Sequence, residues 1–471
     1  MFISVRQWKR WLPLALAVPL FLSCRTYNHA VAPYYEAVSQ GRFEEASAEL
    51  DKARFFRYGR NKLLFNMEKG KTAFLQGRYH ESNLYFNAAD SILSGHRGSR
   101  VLDQTLGLVI NPAMQIYQGE DFERLLIHYY KSINYLKLHQ LEDAEVEARR
   151  ISLGTYALND RKKNNDKKYS NDAFSLIVQG IVYESAGDVN NAFISYRNAA
   201  DIFLKAPDRR YYGVDLPAQL QVDLLRTADQ LGFQQEVQYY EQQFGRVYQR
   251  PADNDGGSVL VIWENGLAPV KAESNFFFTL TERGPGNFVF TDPNTQLFIP
   301  FDFNLFPRDS CHRLRRHLEA FRVAFPSYVE QPLYYTTADI QRDSTFSTTL
   351  EKVEDVNQLA FRTLQERFLK EMGLALTRLA IKKLAEYEIR KNDEVAGELF
   401  NLLSTLAEKA DTRNWQSLPH SIYYSRIPLK KGENKITLTL KGKDNAQQKV
   451  EFNIVGNGRL QTLHYASLLK S

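Results

Sequence analysis

The stretch Tyr117–Ile151, YQGEDFERLLIHYYKSINYLKLHQLEDAEVEARRI, decides how the chain is read. Leu125, Leu126, Tyr129, Tyr130, Ile133 and Leu136 recur at the spacing of a helix with one apolar face. Ala144, Ala148 and Ile151 repeat that spacing on a second, antiparallel helix. Small Ala residues at facing positions let the two helices approach closely. Tyr135 stands in the groove beside Ala144, and His139 occupies the place of a turn glycine.

The unit recurs. Gly41 is followed by Phe43 and Ala46, Gly77 by Tyr79, Phe86 and Ala89, and Gly187 by Val189, Ala192 and Tyr196. Gly180 and Tyr183 precede the last of these, and a fifth unit runs through Leu225, Gly232, Val237 and Phe244. A turn glycine, a small residue five positions later and a bulky one beyond it resemble the tetratricopeptide (TPR) repeat. Two interruptions, Leu93–Pro112 and Asn159–Asp172, predict an irregular helical domain rather than a regular superhelix. Pro112 is expected to open the next helix.

A chain of 471 residues has room for two or three cores. Its 60 basic and 55 acidic residues nearly cancel, and no dense Lys/Arg stripe with interleaved aromatics marks it as a nucleic-acid binder. The most basic tract, Arg161–Lys168, reads as a solvated loop. Two cysteines, Cys24 and Cys311, make no disulfide framework. Cys311 with His312 and His317 lacks the second Cys pair of a zinc site, so neither a metal nor another cofactor is expected.

Arg6, Lys9 and Arg10 precede an apolar segment, Trp11–Leu22, too short to span a bilayer. Phe21-Leu22-Ser23-Cys24 then resembles a bacterial lipobox. That implies cleavage before Cys24 and lipidation of its thiol. Arg25 rather than Asp follows, which by analogy favours an outer-membrane lipoprotein facing the periplasm.

Beyond the linker-like Pro251–Gly257 the apolar period changes to two. Strands are predicted at Val259–Trp263, Asn275–Phe278, Phe288–Phe290, Leu297–Ile299 and Arg322–Tyr328, the last ended by its proline. Gly284-Pro285-Gly286 reads as a hairpin turn rather than a phosphate loop. Helices follow over Thr348–Ile389 and Asp393–Ala410, with Arg378, Lys382 and Lys383 as a solvated basic patch. Strands resume at Ile422–Tyr424, Ile436–Leu440, Val450–Ile454 and Leu463–Tyr465. The expected fold is α+β multidomain: an N-terminal TPR-like α-solenoid followed by a β-sandwich-like domain with a helical insertion. The divisions are 1–23 signal peptide, 24–29 tether, 30–250 helical domain, 258–346 and 412–471 the two parts of the β-rich domain, and 347–411 the insertion.

Glu120, Asp121, Glu123, Arg124 and His128 invite a catalytic reading, but Glu120 and Arg124 have the spacing of a helix-surface ion pair and no nucleophile accompanies them. Glu145, Glu147, Arg149 and Arg150 read as a polar helix face. Three segments, Tyr117–Arg124 leading to Val146–Arg150, Gly266–Lys271 followed by Val323–Tyr328, and Ala410–Pro419, together resemble a family of bacterial TPR-containing lipoproteins of the cell envelope. The residues that carry the likeness are Gly119, Glu120, Asp121, Arg124, Arg150, Pro269, Asp411, Arg413, Trp415 and Pro419. Members of that family have no assigned activity and are sometimes encoded near activators of penicillin-binding proteins, which implies work in the envelope. In the last segment Trp415 offers packing surface and Arg413 a carboxylate partner, the makings of a strut between insertion and sandwich. The expected function is a non-enzymatic scaffold held to the membrane by lipid and binding other envelope proteins. A glycan- or peptidoglycan-binding lipoprotein is the alternative, and a hydrolase ranks last.

Overall fold

The computed structural model describes residues 27–95, 112–161, 172–250, 255–283, 288–301, 320–343, 346–392, 394 and 409–469. Cys24, Cys311 and the second helix expected at 393–410, apart from its last two residues and Glu394, lie outside them. The fold is mixed helix and sheet, with several sheets. Among the described residues no helix is long and apolar enough to cross a membrane.

Five helix hairpins come first: α1 Tyr27–Ser39 with α2 Phe43–Lys52, α3 Lys62–Leu75 with α4 Tyr79–Gly95, α5 Asp121–Lys137 with α6 Leu141–Arg161, α7 Ala173–Ser185 with α8 Val189–Lys205, and α9 Ala218–Gln230 with α10 Gln234–Phe244. Every hairpin turns on a left-handed residue: Gly41, Gly77, His139, Gly187 and Gly232 all have φ between 56° and 85°. His139 takes that conformation with a side chain, at a cost of about 1–2 kcal/mol that packing of its two helices must offset. Five residues beyond each turn stand Ala46, Ser82, Ala144, Ala192 and Val237, all buried. Gly70 faces Phe86 and Gly180 faces Tyr196 so closely that an added Cβ would meet each ring, at 2.7 Å and 2.4 Å. Tyr183 is buried and Tyr135 half-buried against the same core.

α1 is already under way at Tyr27, inside the stretch expected as a tether. Pro112 opens a single 3-10 turn, Pro112–Met114, rather than the next helix.

Among the described residues the strands form one hairpin, β1 Arg210–Tyr211 with β2 Val214–Asp215, and three four-stranded sheets. The first is ordered β10-β11-β3-β14 (Glu351–Asp355, Ser421–Pro428, Ser258–Asn265, Leu460–Ser467). The second is β13-β12-β8-β9 (Gln447–Gly456, Gly432–Gly442, Tyr335–Arg342, Phe346–Thr349). The third is β6-β5-β4-β7 (Leu297–Phe301, Phe288–Asp292, Val270–Glu282, Ala320–Val329). Chain on either side of the helical segment pairs across it, β11 with β3 and β12 with β8.

β3 is the pivot. Its near-continuous apolar run suits a central strand covered on both faces. Val259, Val261 and Trp263 join a core shared with Ile340, Ile436, Leu438 and Leu440 of the second sheet. Leu260 and Ile262 join the core of the helical half, and Glu264 points the same way.

Four expectations need correction. Phe346–Thr349 and Glu351–Asp355 are strands β9 and β10, because β9 alternates half-buried and exposed residues against β8 and β10 pairs with β11, so the helix α11 (Val356–Asn392) starts later than Thr348. Pro326 lies within β7 rather than ending it, tolerated because β7 is an edge strand. β4–β7 make a sheet of their own whose Phe276 and Phe325 pack on Phe368 of α11. Arg378, expected in a solvated patch, is buried.

Two glycines separate packing from backbone strain. Gly180→Ala should lose about 1–3 kcal/mol through overpacking against Tyr196. Gly187→Ala, with open space around it, should lose about 1–2 kcal/mol through its φ alone. Denaturant unfolding checks both. Adding Tyr196→Leu should recover part of the first loss and none of the second.

Candidate functional site

Three of the sequence segments singled out above meet in one buried seam between the hairpins and the sheets. Gly119, with φ 69°, swings the chain into α5 so that Glu120 becomes its N-cap. The Glu120 backbone N–H donates to Glu123 Oε2 (2.8 Å), half of a capping box. The Glu120 side chain does not pair with Arg124 on the helix surface. It turns inward to Lys271 Nζ of β4 (2.6 Å) and Arg367 of α11 (2.5 Å). Burial would raise this carboxyl, but Lys271 and Arg367 outweigh it and hold it at about 2. Arg124 instead donates to the Gln118 carbonyl (2.7 Å), and Asp121 stays near the surface 3.7 Å from Arg124.

Glu123 is buried beside it. Its oxygens accept from the Tyr117 hydroxyl (2.6 Å) and the Trp415 backbone N–H (2.8 Å). Burial and the neighbouring Glu120 charge push its carboxyl up. Trp415 is fully buried, its indole N–H on Ser417 Oγ (3.0 Å) and its ring tilted against the stacked pair Phe86 and Tyr130. Asp411 aligns Arg413 (2.6 Å), whose guanidinium donates to Asn61 Oδ1 (2.9 Å) and the Pro112 carbonyl (3.1 Å). The Pro269 carbonyl accepts from Asn414 Nδ2 (2.8 Å), and Pro419 is buried. The segment 411–419 thus grips the helical half, where a strut between insertion and sandwich was expected.

Next to it, Glu68 of α3 accepts from Tyr34 (2.8 Å) and Ser417 and is bonded to Tyr35, and among the described residues no cation pairs with it. Tyr35 contacts Tyr27 (2.6 Å), which donates to the Asn414 carbonyl (2.9 Å). Each phenol has one proton. With Tyr27 donating to Asn414, Tyr35 must donate to Tyr27, and the Tyr35–Glu68 bond then needs its proton from Glu68. The chain of hydroxyls is complete when Glu68 is a neutral acid. Burial pushes its carboxyl up to about 7, although the hydroxyls of Ser417 and Tyr34, which donate to it, pull it down.

One turn on, Lys71 is fully buried and paired with Glu264 of β3, with Tyr130 on its ammonium (2.8 Å). Tyr129 donates to Glu264 (3.1 Å) and His464 Nε2 lies 3.1 Å from it. Burial would raise Glu264, but Lys71 and His464 outweigh it and hold it at about 2. A second buried cluster ties the later hairpins to β11: Glu184 meets Arg226 (2.8 Å) and Arg426 (2.7 Å), and Asp223 meets Arg426 (2.9 Å). Glu147, expected on a polar helix face, is buried and pairs with His128 (2.8 Å) and Lys131 (2.8 Å). Arg150 reaches Asp90 (2.8 Å).

The seam's acids are each engaged by this chain's own donors. Among the described residues no group of three or more His, Cys, Asp or Glu is arranged to hold a metal ion. Glu68, Lys71, Glu264 and Arg367 were not singled out by sequence. The available signal was Leu64, Glu68, Lys71 and Leu75 on one helix stripe, charges standing where a core-facing helix places apolar residues. Comparison with protein-family models finds no match. Comparison with curated proteins finds none either.

Glu68 makes stability depend on pH. Its folded value of about 7 exceeds the ordinary 4.5. The folded state therefore binds the extra proton between those values, and stability should fall as pH rises through them, by up to about 3 kcal/mol. Glu68→Gln, whose amide also donates to Tyr35, should flatten that slope in denaturant unfolding at pH 4.5–7.5. An unchanged slope would contradict the neutral acid.

Proposed function

We propose that the chain is a non-enzymatic, lipid-anchored protein of the cell envelope. In this reading its hairpins form a TPR-like solenoid, its first two sheets form a β-sandwich, and the body serves as a scaffold for other envelope proteins. The observation that carries it is the repeated hairpin of α1 to α10, each with its left-handed turn and the first four with a buried small residue five positions on. Such hairpins leave outer helix faces free to hold peptides or partner subunits. The seam supports the same reading, because its charges close on one another between layers instead of converging on an open cleft.

Fractionation and in-cell crosslinking test the proposal together. The native chain should sediment with membranes and crosslink to envelope proteins, and Cys24→Ala should release it. Retention of Cys24→Ala in membranes contradicts the anchor. Crosslinks to lipid alone contradict the scaffold.

A further inference from the structure

Between α2 and α3 the chain reads Arg54-Phe55-Phe56-Arg57-Tyr58-Gly59-Arg60-Asn61-Lys62, and no acidic residue occurs from Lys52 to Met67. Two 3-10 turns, Arg54–Arg57 and Gly59–Asn61, hold it at the surface. Arg54, Arg57, Tyr58 and Lys62 are exposed, and the Arg60 guanidinium lies 5.0 Å from the Tyr58 ring centre. Among the described residues none of these four cations enters an ion pair. The nearest acids on α2 are already engaged, Glu49 by Lys52 (2.8 Å) and Asp51 by Lys69 (2.7 Å). The tract is an uncompensated positive patch in a chain whose charges otherwise nearly cancel.

Its position is as telling as its charge. The Phe55 ring packs 5.2 Å from that of Tyr27, three residues from Cys24. Three residues reach at most about 11 Å, so a lipid carried on Cys24 would be tethered within reach of this patch. The Arg60 carbonyl accepts from the Tyr117 N–H (2.8 Å), and Arg413 bridges Asn61 and Pro112. These contacts tie the segment of Met114 and Ile116, 57% and 42% exposed, to the tract that carries Tyr58 at 52%. Cations beside exposed apolar and aromatic side chains match a surface of anionic headgroups over acyl chains.

We propose that residues 54–62, with Met114 and Ile116, dock on a bilayer containing anionic lipid, so that the body lies flush on the membrane rather than hanging from a tether. The proposal rests on the lipid-anchored reading. The acyl chains supply attachment, and the patch supplies a second, charge-dependent contact that fixes orientation.

Tyr58→Trp makes the patch its own reporter, because Trp263 and Trp415 are fully buried and the other two tryptophans precede Cys24. The lipidated chain would be reconstituted on vesicles of phosphatidylcholine mixed with phosphatidylglycerol carrying brominated acyl chains. Emission from position 58 should be quenched there. The quenching should be lost at high salt and in the Arg54→Glu/Arg57→Glu/Lys62→Glu variant, whose thermal unfolding should stay that of the parent. A chain that sediments with the vesicles while position 58 stays unquenched overturns the patch and leaves the anchor standing. Quenching that survives the triple reversal overturns it too. A chain that sediments with neither neutral nor anionic vesicles overturns both readings.

Discussion

Charge buried between two layers has to be matched within the protein, and that constraint shapes this molecule. Removing a carboxylate and an ammonium from water costs several kcal/mol for each ion, repaid only when partners and hydrogen bonds are in place. Lys71 on α3 and Glu264 on β3 are both fully buried, so neither layer satisfies its own charge alone. The same holds for Glu120 against Lys271 and Arg367, and for Glu184 against Arg426. Each pair has one member on a helix hairpin and the other on a strand or on α11. Hairpins and sheets therefore depend on one another for neutrality as well as for apolar contact.

Trp415 shows how the apolar and polar demands meet in one segment. Its ring packs against the stacked rings of Phe86 and Tyr130 while its backbone N–H satisfies Glu123. Ser417 links the indole to Glu68, and Arg413 ties Asn61 to the Pro112 carbonyl. One short stretch near the end of the chain thus closes contacts with α3, α5 and the turn before α3. Residues of the first helix join it through Tyr27, Tyr34 and Tyr35.

The hairpins were legible because their spacing is local: turn glycines, small residues and bulky residues recur within a few positions of one another. His139 could be placed at a turn without being a glycine, and its φ of 56° lies in the same left-handed region as its four glycine counterparts. The seam was legible in its segments and not in its partners. Glu120 and Arg124 have surface-pair spacing, yet the partner that matters, Lys271, is 151 residues away, and periodicity carries no information across that distance. The stretch from Thr348 to Asp355 reads as helix because Val353 and Val356 stand three apart and a bulge between Lys352 and Glu354 breaks the alternation of β10. The cationic turn at 54–62 vanished in a whole-chain charge balance that sums distant acids with it.

The central claim is that the buried pairs weld hairpins and sheets into one cooperative body. Native-state amide hydrogen exchange across a denaturant series tests it most directly. If the claim holds, amides of α3 and β3 open in one shared event with the same free energy and the same denaturant dependence. Exchange of α3 at low denaturant while β3 stays protected would contradict it.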